Sequence, residues 1–154
     1  MSQYMMANDN INTHILRELS IDGRISNIEL AGRVGLSPSA CLRRVQELER
    51  SGVITGYCAR LDPVALGRGF IAFISVGLSV HTKSAQDTFE KAMISAPPVR
   101  ECHNITGNAE YLLRVEVPDM AAYKNFHTEY LGALPNVASI NTSVVLASPK
   151  CEPN

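Results

Sequence analysis

A chain of 154 residues suits one large domain or two small ones. Its 45% hydrophobic and 19% charged residues allow a packed core and exclude general disorder. The formal net charge of −1 excludes a uniform polycation, and no apolar run approaches the roughly 20 residues of a membrane helix.

Charge counted by region is more telling. Residues 1–60 hold seven Arg and six acids, and every basic residue there is Arg, which suits planar hydrogen bonding. Residues 61–154 hold seven Lys or Arg and nine acids. The N-terminal MSQYMMANDN lacks the basic-then-apolar form of a signal peptide, so an intracellular protein is expected.

The first elements read as three short helices. Asp9 can cap a helix whose apolar positions are Ile11, Ile15, Leu16 and Leu19, with Gly23 as its stop. Ser26 and Glu29 have capping-box spacing ahead of a second helix with Ile28, Leu30, Ala31 and Val34 inward. Gly35 breaks it. Ser37 as cap and Pro38 at the first position open a third helix, which Gly52 stops. A glycine-bearing tight turn between the last two predicts a helix-turn-helix unit.

Wound at about 100° per residue, the third helix turns Cys41, Val45 and Leu48 to the core. Ser39, Arg43 and Gln46 fall opposite, and Arg44 lies on the flank. A hydroxyl, a guanidinium and an amide can pair with base edges or phosphates in a major groove. Ser37, Ser39 and Ala40 sit at the helix N-terminus, where the backbone dipole favours phosphate. A polar helix face alone is more often plain solvated surface. The preceding turn, the capped second helix and the following Gly52-Val53-Ile54 favour the groove, with Arg43 on base or phosphate and Arg44 on the DNA backbone.

The pattern then changes. Residues 53–61 (VITGYCARL) predict a strand leading out of the helical unit, and LDPVALGRG a crossing loop. Residues 70–80 predict an internal strand, and the stretch from Ser84 a helix with Ala85, Phe89, Ala92, Met93 and Ala96 inward, ended by Pro97-Pro98. Two strands, 99–106 and 110–117, flank the short loop Gly107-Asn108-Ala109. Pro118-Asp119 starts a last helix with Met120, Tyr123, Phe126, Tyr130, Leu131 and Leu134 as apolar positions, and 136–146 is the last strand. The order βαββαβ is the ferredoxin-like arrangement. The fold class is therefore α+β, with expected boundaries of 1–52 for the helical domain, 53–69 for the connecting strand and linker, and 70–154 for the second domain. Two helices cover one face of such a sheet. Ile71, Phe73, Leu112 and Val145 on the other face predict sheet-to-sheet dimerisation.

DGRISNIELAGRVGLSPSACLRRVQELERSGVITGY, LDPVALG, VRECHNITGNAEYLLRVEV and ALPNVASINTSVVL, in this order, resemble the Lrp/AsnC family of prokaryotic transcription regulators from about Asp9 to Leu146. The resemblance implies a winged-helix-like DNA-binding domain joined by a strand to an ACT-like amino-acid sensor, in a cytoplasmic, nucleoid-associated protein. It implies double-stranded DNA as partner, and homodimers assembling further, commonly to octamers, with an effector between dimers. It assigns the effector to the loop Thr106-Gly107-Asn108-Ala109-Glu110-Tyr111 and to Thr142 on the last strand. Gly107 permits close ligand approach, exposed N–H groups can receive a carboxylate, and Glu110 can hold an α-ammonium group. The family usually has Asp at the place of Glu110 and two Thr at the places of Ile140 and Thr142. One lost hydroxyl points to an effector with an apolar side chain.

Catalysis is not expected. His14, His81, His103 and His127 lack a nucleophile or carboxylate at a recognisable spacing, and Cys102-His103 point to opposite faces of a strand, poor for one metal ion. No cofactor is called for. Cys41, Cys58, Cys102 and Cys151 read as reduced structural thiols. An effector-independent architectural DNA-binding protein is the alternative.

Overall fold

The computed structural model describes residues 9–150, so Cys151 lies outside the described residues. The chain divides into two compact units between Arg60 and Leu61, inside the expected linker. Among the described residues no helix is long and apolar enough to cross a membrane.

The first unit is α1 (Asn10–Ile21), α2 (Asn27–Val34) and α3 (Pro38–Arg50). Each helix starts on the expected cap: Asp9 accepts from the Ile11 N–H, Ser26 from Glu29 and Ser37 from Ala40. The capping box is one-sided, because the Glu29 carboxylate bonds Arg33 at 2.6 Å. Gly35 closes α2 in the left-handed region at φ +71°, and the Leu36 N–H donates to the Ala31 carbonyl. Asn27 Nδ2 donates to the Pro38 carbonyl at 2.8 Å, tying the start of α2 to the start of α3. The core is Ile15, Leu30, Ala31, Cys41 and Leu48, one or two from each helix. Burying Ile15, Leu30 or Leu48 contributes roughly 1.5–3 kcal/mol each.

The strand expected at 53–61 does not form. Val53 and Ile54 fold back onto the helical core, the Ile54 N–H donates to the Leu48 carbonyl at 3.1 Å, and the Tyr57 hydroxyl donates to Glu49 at 2.9 Å. Among the described residues no second strand offers this segment a ladder, so β-propensity there has nothing to pair with.

The second unit is β1 (Phe70–Leu78), α4 (Lys83–Ser95), β2 (Val99–Asn104), β3 (Tyr111–Val117), α5 (Met120–Asn125, continuing as a π-helical turn over Phe126–Leu131) and β4 (Val137–Val144). The sheet is antiparallel in the order β2-β3-β1-β4, so β1 is internal as its apolar run predicted. Ala72, Ile74 and Val76 of β1, with Leu113 and Val115 of β3, face the helices and are fully buried. They meet Phe89 and Met93 of α4 and Tyr123, Phe126 and Leu131 of the last helix. Phe126 and Leu131 are five residues apart, and the widened π turn keeps both on the core side. Tyr111 sits wholly within this core, its ring 4.6 Å from that of Phe89, and its hydroxyl donates to Glu90 Oε1 at 2.8 Å.

The other sheet face is less apolar than expected. Ile71, Leu112 and Val145 are half-buried and Phe73 is exposed, but Arg114 lies among them. Its guanidinium reaches Glu116 at 2.7 Å and Glu101 at 3.6 Å.

Replacing Gly35 by Ala should cost about 1 kcal/mol, because an L side chain is strained at positive φ. A thermal melt showing undiminished stability would contradict this conformation. Burial first, then the Glu90 carboxylate, push the Tyr111 phenol up to about 12 from 10.0. The folded state favours the neutral phenol, so its contribution is complete below pH 10 and declines as pH climbs toward 12. An ultraviolet titration of the wild type minus Tyr111→Phe should show one tyrosine ionising near pH 12; ionisation near 10 would refute the burial.

Candidate functional site

The face that α3 turns to solvent follows from its core side. Cys41 and Leu48 are buried and Val45 is half-buried, which leaves Ser39, Arg43 and Gln46 exposed together. Ser37 Oγ caps the helix and lies 3.3 Å from Ser39 Oγ, so two hydroxyls flank the N-terminus. Ala40 is half-buried behind them, its N–H taken by Ser37.

The three arginines of α3 differ in what holds them. Arg50 is paired through two nitrogens with the Glu47 carboxylate, at 2.6–3.1 Å. Arg44, expected toward a DNA backbone, instead turns back onto α1. It donates to Asp9 Oδ2 at 2.9 Å and to Asn12 Oδ1 at 2.8 Å, and holds the Asp9 carboxyl below its usual 3.8. Arg43 is exposed and has no hydrogen bond or ion pair among the described residues. Arg50, seven positions after Arg43, shares the outward face, and the seven-residue spacing in the sequence is the signal for it.

In the second unit the loop between β2 and β3 carries the other expected site. Gly107 has φ +128°, and a Cβ built there would meet nothing within 4 Å, so its backbone is open to an approaching group. The Ile105 N–H donates to the Glu110 carbonyl and the Glu110 N–H to the Val76 carbonyl, closing the base of the loop. Thr106, Gly107 and Asn108 are exposed and Ala109 is half-buried. The N–H groups of these four donate to no acceptor among the described residues.

The remaining expected residues are placed differently. The Glu110 carboxylate is not free: Oε2 accepts from the Leu78 N–H at 2.6 Å, at the irregularity where β1 leaves its register with β4, and Oε1 lies 3.2 Å from His81 Nδ1. Glycine at position 77 makes room for this, since a Cβ there would run into Ser139 Oγ and approach Glu110. Tyr111 is a core residue, shut off from any ligand in the loop. Thr142 stands on β4, with β1 and β3 between it and the loop strand β2. Its hydroxyl is bonded to that of Tyr123, and the two border an open depression of about 440 Å³ lined also by Met120, Lys124, His127 and Ile140. His81, Lys124 and His127 reach these positions through tertiary packing, and no sequence spacing marked them.

Cys102 faces the helices while His103 faces away, next to Glu101 at 3.2 Å. Burial pushes the Cys102 thiol to about 11, which makes it a poor nucleophile. Among the described residues no three His, Cys, Asp or Glu side chains form a metal cage.

Comparison with known proteins fits these two surfaces to two known domains. Residues 8–55 match a winged helix-turn-helix DNA-binding domain, and residues 71–154 match the Lrp/AsnC ligand-binding domain. The chain is 43% identical over 142 residues to the leucine-responsive regulatory protein of Escherichia coli K12, covering 92% of this chain and 87% of that protein. Its fold superposes with a TM-score of 0.90 on transcriptional regulator NMB0573 of Neisseria meningitidis, solved in complex with L-Met, at 36% identity and covering 94% and 93% of the two chains. An AsnC family regulator of Agrobacterium tumefaciens gives a TM-score of 0.89 at 32% identity, covering 95% of each chain. With both domains matched in this order and a relative 43% identical over nearly the whole chain, this chain belongs to the Lrp/AsnC family of DNA-binding transcriptional regulators.

Proposed function

We propose that Ser37, Ser39, Arg43 and Gln46 are the groups through which this regulator grips duplex DNA, with α3 lying in the major groove. The carrying observation is Arg43. Of the three arginines on α3 it has no partner among the described residues, while Arg44 and Arg50 are engaged by Asp9 and Glu47. An exposed, uncommitted guanidinium is ready for a bidentate contact with guanine or phosphate. Arg44 then acts indirectly, by holding α3 against α1. Two copies joined through the sheet face around Phe73 would present two such helices to one duplex, at half-sites separated by about one helical turn or its multiples.

We further propose an amino acid as effector, received at the loop 106–110. The unengaged N–H groups beside Gly107 suit a carboxylate. The relatives named for leucine response and solved with L-Met support the class. Glu110 is held by Leu78 and His81, so it reaches an ammonium group only by giving up part of that hold. Within one chain β3 and β1 stand between β2 and the strand that carries Thr142, so the loop of one copy and the Thr142 patch of another can be joined by one ligand where copies meet. That arrangement fits an effector bound between dimers of a larger assembly. Ile140 and Met120 beside Thr142 suit an apolar side chain.

Arg43→Ala should weaken duplex binding roughly tenfold to a hundredfold at fixed salt without lowering the melting temperature. Arg44→Ala should show the reverse emphasis, a lower melting temperature first. Unchanged affinity for Arg43→Ala, measured by fluorescence anisotropy, would remove α3 from the groove. Calorimetry against the common amino acids should give a binding signal that Gly107→Trp abolishes; a signal that survives this change would move the effector elsewhere.

A further inference from the structure

One residue of α3 is not accounted for by either the core or the polar face. Leu42 is 46% exposed, whereas Cys41 and Leu48 of the same helix are buried in the core. Its position is defined by the helix. At about 100° per residue it lies about 60° from Ser39 and about 40° from Gln46, in the same row of the helix surface. It directly precedes Arg43. A half-exposed aliphatic side chain therefore sits along one edge of the face that carries the hydroxyl, the amide and the Arg43 guanidinium.

We propose that Leu42 is a specificity-determining residue that packs on the C5-methyl group of thymine in the major groove. Among the four bases, thymine alone shows an apolar group on its major-groove edge, and apolar side chains recognise it by contact. Arg43 favours the acceptor pair of guanine, so the two neighbours together would select a thymine close to a guanine. This inference rests on the reading that the outward face of α3 lies in the groove, and its test separates the two.

A duplex would be selected from a randomised pool with the full-length protein, then resynthesised with deoxyuridine in place of thymine at each half-site in turn. Deoxyuridine keeps every hydrogen-bonding group and lacks the methyl. The wild type should lose about fourfold in affinity per contacted thymine, the effect of leaving one methyl-sized group in water. Leu42→Ala, exposed and so neutral to folding, should bind the two duplexes equally. Leu42→Met, which keeps an apolar side chain of similar reach, should still discriminate. Comparing proteins on the same pair of duplexes cancels any effect of the missing methyl on DNA shape. A wild type indifferent to the methyl, or a Leu42→Ala variant that discriminates as before, would overturn the assignment. If Arg43→Ala also binds as the wild type does, the groove reading falls with it; if Arg43→Ala is weak while the methyl has no effect, only the role of Leu42 falls.

Discussion

The burial of Cys41 and Leu48 of α3 against Ile15, Leu30 and Ala31 sets everything that the first unit shows to solvent. A helix held along one stripe has no freedom to rotate, so its opposite face is decided by arithmetic at about 100° per residue. The apolar contacts dominate this choice, because surface ion pairs contribute far less than buried aliphatic groups. Arg44 refines it by fastening α3 to Asp9 and Asn12 of α1, and Gly35 permits the tight turn that brings α2 and α3 to their crossing. The free guanidinium of Arg43 is a consequence of these constraints.

A parallel logic holds in the second unit. β1 lies between β3 and β4, so its alternate residues are assigned to opposite faces with no register freedom. Ala72, Ile74 and Val76 go under the helices; Ile71 and Phe73 go to the other face. The loop between β2 and β3 inherits its place from this frame. Glu110 anchors the loop's end to the last residue of β1, and Tyr111 plugs the core directly after it. A loop rooted in this way keeps its exposed N–H groups in a defined position while Thr106, Gly107 and Asn108 remain open.

The two units therefore serve regulation differently. In the first, a rigid helix offers fixed chemistry to a regular partner. In the second, under the reading proposed above, assembly of copies would bring a short loop and a separate patch around Thr142 to one effector and so join effector binding to DNA occupancy.

Much of this was legible in the chain itself. The caps Asp9, Ser26 and Ser37, the breaker Gly35, and the inward positions Cys41, Val45 and Leu48 are local signals, written within one or two helical turns. The βαββαβ succession and the internal place of β1 were readable from the strand and helix patterns, and the open loop from Gly107. What the tertiary structure decided concerns partners distant in sequence. Arg44 meets Asp9 across 35 positions, Glu110 meets Leu78 across 32, and Tyr111 meets Glu90 across 21. Charge and polarity say that a side chain wants a partner, but they do not say which one folding will bring. The missing strand at 53–61 has the same cause: a strand exists through its neighbour, and Val53 and Ile54 found the helical core instead.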